Sequence, residues 1–114
     1  MSLLSELVTI VQSIGLPMET GTFSGVPPDE YVVITPLADV FDGYADNLPN
    51  YEVQEARISL FSKGNYNTRK NQIVKSLLSA GFLITDRRYL GFEDDIGFHH
   101  LAIDLAKEYE FKED

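Results

Sequence analysis

The stretch Gly91–Leu105, GFEDDIGFHHLAIDL, sets both histidines of the chain beside four carboxylates. Glu93, Asp94 and Asp95 precede the adjacent His99 and His100, and Asp104 follows. Histidine with carboxylates is the donor set of a metal centre or an acid–base pair. Spacing argues against both. The run Phe98–Phe111 alternates, with Leu101, Ile103, Leu105, Tyr109 and Phe111 on one parity, which predicts a strand. Neighbours on a strand point to opposite faces, so His99 and His100 do not share an ion. His100 and Asp104 share a face but stand about 13 Å apart at roughly 3.3 Å per residue. A shared metal needs each donor about 2 Å away. The acidic run lacks the alternating carboxylates and terminal glutamate of a calcium loop. The stretch therefore reads as an acidic hairpin tip followed by a strand. His99, on the parity of Leu101 and Ile103, is expected to be a packing residue, and His100 to be exposed near a sheet edge.

Other catalytic patterns are missing. Gly21–Gly25 lacks the Lys-Ser/Thr ending of a phosphate loop, and neither histidine sits in a G-x-S-x-G or H-E-x-x-H context. There is no cysteine, hence no thiolate nucleophile, thiolate metal site or disulfide framework. The sequence predicts neither an enzyme nor a bound cofactor. Asp86-Arg87-Arg88 is the remaining charged cluster. Asp86 and Arg88 share a strand face and are placed to pair, while Tyr66 and Tyr89 near the cations are of the type that stacks nucleic-acid bases.

The elements that must position these residues follow from periodicity. Leu4, Leu7, Val8, Val11 and Ile14 recur at helical spacing, predicting an amphipathic helix over Leu3–Ile14 stopped by Gly15 and Pro17. A short strand is possible over Met18–Phe23, before the Gly/Pro-rich loop to Asp29. Tyr31–Val40 reads as a strand that is apolar on both parities; Pro36, lacking an N–H, requires an edge or a bulge there. Asp42–Asn50 reads as a loop, and Tyr51–Ser62 as a strand with Ala56, Ile58 and Leu60 on one face. The two strands are expected to form a long hairpin. A second helix, capped by Asn67 or Thr68, is predicted to run to about Ala80, burying Ile73, Val74, Leu77 and Leu78 before Gly81. Phe82–Leu90 and Phe98–Phe111 complete a set of four main strands in the order α-β-β-α-β-β. The expectation is one α+β domain over 1–114, with two helices on one face of a mostly antiparallel sheet. The other face, with Tyr31 or Val32, Val33 and Ala102, is more apolar than a solvated face requires. No apolar run is long enough to span a membrane, and Met1–Leu16 does not read as a signal peptide, being amphipathic without a basic start.

Charge is segregated along the chain. Met1–Ala56 holds nine acids and no Lys or Arg; Arg57–Arg88 holds seven bases and one acid; Tyr89–Asp114 holds eight acids and two bases, giving a net charge of −9. A short basic block flanked by acid argues against a general nucleic-acid binder. Two arrangements fit: charged faces that meet on neighbouring copies, or blocks that interleave within the fold.

Three stretches in order resemble the small tail-terminator or tail-completion proteins of long-tailed phages and prophages. They are ADNLPNYEV (Ala45–Val53), VQEARISLFSKGNYNTRKNQIVKSLLSAGF (Val53–Phe82) and FEDDIGFHHLAIDL (Phe92–Leu105), and the likeness spans about Tyr31–Phe111. The resemblance implies a structural protein that assembles as a ring, usually of six copies. Such a ring sits at the head-proximal end of the tail tube and joins it to the head connector. Its partners would be itself, the tail tube protein and the head–tail connector protein. Its location would be the bacterial host cytoplasm during assembly and then the virion tail. In such a ring Asp39, Asp42 and Asp46 are candidates to meet Arg69, Lys70, Arg87 and Arg88 of a neighbour, and the Asp42–Asn50 tip to order on assembly. The alternatives are another small phage adaptor, such as a minor capsid or connector component, and a small nucleic-acid-binding module on the Arg87–Tyr89 strand.

Overall fold

The computed structural model describes residues 2–20, 25–42 and 50–110. Helix α1 (Leu3–Ile14) leads into β1 (Met18–Thr20), β2 (Glu30–Asp42) and β3 (Tyr51–Ser62); α2 (Asn67–Ser79) follows, then β4 (Leu83–Glu93) and β5 (Phe98–Glu110). The strands form a single sheet in the order β1-β2-β3-β5-β4. The α+β class holds, but there are five strands rather than four main ones. The possible strand after residue 18 is real over Met18–Thr20, and it pairs in parallel with Val32–Ile34. Every other pairing is antiparallel.

Helix α1 starts where Ser2 and Ser5 cap each other: the Ser2 hydroxyl accepts from the Ser5 N–H and the Ser5 hydroxyl accepts from the Ser2 N–H, both at 3.3 Å. It ends at Gly15, whose φ of +87° lets its N–H turn back to the carbonyls of Val11 and Gln12. Helix α2 is not capped by its own Asn67 or Thr68. The Asn65 side chain accepts from the Asn67 N–H at 3.0 Å, because the preceding loop turns tightly enough to bring it under the first turn. The buried stripe of α2 is also narrower than expected. Ile73 and Leu77 are fully buried and Val74 partly, but Leu78 is 56% exposed. One residue past Leu77 turns the side chain about 100° round the helix, away from the sheet.

Beneath the helices, Leu3, Leu7 and Val11 of α1 and Ile73 and Leu77 of α2 pack on alternate residues of the three central strands. Those are Val32 and Ile34, then Ala56, Ile58 and Leu60, then Leu101, Ile103 and Leu105. The expected face of β3 is thus the core face. Lys107 and Tyr109, further along β5, both reach Glu6 of α1, at 3.0 and 2.8 Å, and Lys107 also donates to the Ala80 carbonyl closing α2. Burial and the Glu6 hydrogen bond push the Tyr109 hydroxyl pKa well up, so it remains a donor.

The opposite face carries no helix, yet it has its own apolar cluster. Tyr31 stacks on Phe61 at 4.7 Å and meets Phe98 edge-on at 5.4 Å, with Val33 beside them. The apolar character foreseen for Tyr31, Val33 and Ala102 is therefore on that face; Val32 belongs to the core. Further along, Arg57 and Asp104 sit opposite each other on β3 and β5. The guanidinium donates to both carboxylate oxygens, at 2.7 and 3.0 Å.

Pro36 meets both of its requirements. A bulge separates Pro36 from Ala38, and β1 covers the outer side of β2 only at Val32–Ile34. Beyond that point, no strand among the described residues pairs with the outer side of Thr35–Val40. At the other side of the sheet, β4 is an edge strand along its whole length.

Candidate subunit interface

The four candidate cations separate into two kinds. Arg69 is engaged within the chain: it reaches Glu30 at 3.4 Å, the Ile14 carbonyl at 3.4 Å and Gln72 at 3.1 Å. Arg88 is bound to Asp86 through Nη2 at 2.6 Å and Nε at 2.8 Å, the pairing that their shared strand parity suggested. Lys70 and Arg87 form no ion pair with any described residue. Register explains the difference between the two adjacent arginines. Arg87 lies opposite Ile103, a core residue, so it projects on the helix-covered side; Arg88 lies opposite Ala102 and projects on the bare side. The first turn of α2 puts Lys70 over the same part of β4 as Arg87. The two cations line a hollow of about 320 Å³ together with Tyr66, Asn67 and Tyr89.

The acidic candidates lie across the sheet. Asp39 is exposed near the end of β2, Asp42 is the last residue of that strand, and Asp46 is outside the described residues, as is most of the tip foreseen at Asp42–Asn50. Asp39 is opposite Gln54, whose side chain accepts from the Leu3 N–H and so marks the helix-covered side. Asp42, opposite Tyr51, has the other parity. Asp39 makes no ion pair with a described residue. Of the two arrangements left open by the sequence, interleaving is realised for part of the charge. Arg57–Asp104, Lys63–Asp29, Arg69–Glu30, Arg88–Asp86 and Lys107–Glu6 interleave the blocks, while Lys70 and Arg87 near the β4 edge and Asp39 on β2 form no ion pair with a described residue.

The histidine pair needs one correction. His99 does pack, within Tyr66, Tyr89 and Phe92, and its Nδ1 is 2.8 Å from the Tyr89 hydroxyl. His100 is not exposed at an edge. β5 is inserted between β3 and β4, so His100 sits inside the sheet, stacked on Phe61 at 4.2 Å. Its Nε2 is buried and hydrogen-bonded to no described group. Burial lowers its pKa; Glu93 opposes the shift and Arg57 adds to it. Tyr66 and Tyr89, considered as a platform for bases, stack on each other at 5.8 Å. Among the described residues, no three His, Asp or Glu converge closely enough to hold a metal ion, and no helix is long and apolar enough to cross a membrane.

Sequence reasoning missed the Asn65 side chain that accepts from the Asn67 N–H ahead of α2, the Glu6 anchor and the Arg57–Asp104 fork. Each depends on a partner that only register or loop geometry supplies. Glu6 alone carried a signal, as an acid in the first turn of α1. No family model matches this chain, and no curated protein matches it either.

Proposed function

We propose that this chain is a ring-forming structural subunit of the tail-terminator or tail-completion kind, acting at the head-proximal end of a phage tail tube, with the tube protein and the head connector as its partners. One observation carries the assembly part of this reading: among the described residues, Lys70 and Arg87 stand without an ion pair near the β4 edge, and Asp39 stands without one on β2, across the sheet. Complementary surfaces on different sides of one molecule make a heterologous contact, the kind that generates rings when the rotation closes. The phage assignment draws on the sequence resemblance.

Electron microscopy of particles made without this gene tests the role. Filled heads beside over-long tail tubes establish termination. Filled heads and tails of normal length left unjoined move the role to joining, and normal infectious particles refute the structural reading.

A second reading, the nucleic-acid-binding module, draws on the hollow itself, where Lys70 and Arg87 lie beside Tyr66 and Tyr89. The net charge of −9 opposes it. Tight oligonucleotide binding that weakens steeply with salt would favour it over the ring.

A further inference from the structure

We infer that two copies of this chain pair through β4 about a two-fold axis, the strand of one antiparallel to the same strand of the other, with Tyr89 beside Phe92 and Arg88 beside Glu93 of the second copy. The inference does not rest on the ring reading, because an isologous contact closes at two copies by itself.

The outer side of β4 is open from Asp86 to Glu93. Every residue of β4 is described, and its only strand neighbour among the described residues is β5. The rest of the chain joins on elsewhere. β1 and β2 end at the other edge of the sheet. β5 ends at Glu110, about 20 Å along the strand from Asp104, which lies opposite Asp86. The four residues after Glu110 span at most about 14 Å. An open strand edge presents unpaired N–H and C=O groups and is a template for pairing with another chain. This one also carries apolar side chains: Tyr89, Leu90, Phe92 and, in the turn, Ile96 are all exposed.

The bulge in β4 selects the occupant. Tyr89 and Gly91 lie opposite successive residues of β5, Leu101 and His100, so Leu90 is extra. A regular strand laid alongside must leave that residue unpaired, as β5 does. A second β4 carries the same extra residue at the facing place. Setting Tyr89 against Phe92 of the second copy brings the two bulges together, and side chains agree in face before and after them. Tyr89, opposite Leu101, and Phe92, opposite His99, project on the helix-covered side. Arg88, opposite Ala102, and Glu93, opposite Phe98, project on the bare side. Leu90 of each copy then falls against Gly91 of the other, where open space stands in place of a side chain.

Charge favours the same register. The two-fold axis repeats the Arg88–Glu93 contact twice, with Asp86 holding each Arg88 from its own strand at 2.6 Å. Opposite charges directly across two strands stabilise the pairing and like charges oppose it. Moving the register toward the start of β4 brings like charges together: Asp86 on Glu93, then Arg88 on Arg88, then Arg87 on Arg87. On the helix-covered side the Tyr89–Phe92 contacts join two aromatic clusters, each completed by Tyr66 and His99 of its own chain.

Sedimentation velocity over a concentration series tests the contact. The wild-type chain should pass from monomer to dimer. Arg88→Glu and Glu93→Arg each set like charges opposite one another at both symmetric places, and each should weaken the dimer about tenfold or more. An equimolar mixture of the two variants should regain the dimer as a mixed species, and the double variant Arg88→Glu/Glu93→Arg should regain it alone. Regained association also shows that the single variants are folded. A wild-type chain that stays monomeric to millimolar concentration overturns the inference and leaves the edge to a different partner. A dimer that survives either reversal unchanged, or a mixture that associates no better than its components, overturns the β4 contact.

Discussion

Replacing His100 by phenylalanine should leave the protein at least as stable at neutral pH and remove part of its acid sensitivity. The side chain is stacked on Phe61 at 4.2 Å with an interplanar angle of 20°, a geometry a phenyl ring can adopt. Its Nε2 is buried without a partner. Leaving a polar atom unsatisfied in the interior costs about 1–3 kcal/mol, so removing it in a ring of similar shape should offset any small packing loss. The pH argument has a definite sign. The unfolded chain protonates this histidine near pH 6.5, whereas burial holds the folded pKa lower. Above pH 6.5 neither state is protonated and the contribution is constant. Between pH 6.5 and the folded pKa only the unfolded state gains the proton. Stability there falls with a slope approaching about 1.4 kcal/mol per pH unit. Below the folded pKa the loss levels off. The carboxylates titrate in both proteins, so the difference between wild type and His100→Phe isolates this residue. Urea unfolding followed by far-UV circular dichroism suits a chain without tryptophan, and should be run at pH 7.5, 6.5, 5.5 and 5.0. The stability difference should move in favour of His100→Phe as the pH falls. A difference that stays flat across this range, or moves the other way, refutes the buried, neutral histidine.

Three further outcomes test the frame around the interface. Ile58→Ala, at the centre of β3 and fully buried, should cost about 2–5 kcal/mol by urea unfolding. Removing Asp104 alone should cost about 1–3 kcal/mol, because it strands Arg57 of a two-pronged, partly buried partner. The double-mutant cycle with Arg57→Ala should show a coupling above about 0.5 kcal/mol; additive effects would mean that the fork contributes nothing. Glu6→Ala should speed amide hydrogen exchange in α1 more than in α2, since it releases both Lys107 and Tyr109; uniform exchange would refute the anchor.

Several features were legible in the sequence because they depend on near neighbours. The bounds of α1, its glycine stop, the long hairpin of β2 and β3, and the core face of β3 all follow from local period and turn chemistry. The pairing of Asp86 with Arg88 follows from strand parity alone. The bulge or edge at Pro36 follows from its missing N–H.

Sheet order was not legible, and it decides the rest. Periodicity says which residues share a face but not which strand lies beside which. Only the folded chain places β5 between β3 and β4, which leaves His100 half-buried with its Nε2 covered, where an edge would have exposed it. The same order makes β4 an edge and leaves part of β2 without a second neighbouring strand among the described residues. It also separates Arg87 from Asp39 within the chain while setting them on the same side. The sequence supplied the charges in blocks; tertiary pairing consumed Arg69 and Arg88 and left Lys70 and Arg87 without an ion pair among the described residues, because an ion pair depends on where the partner lies in space and not on how far away it is along the chain.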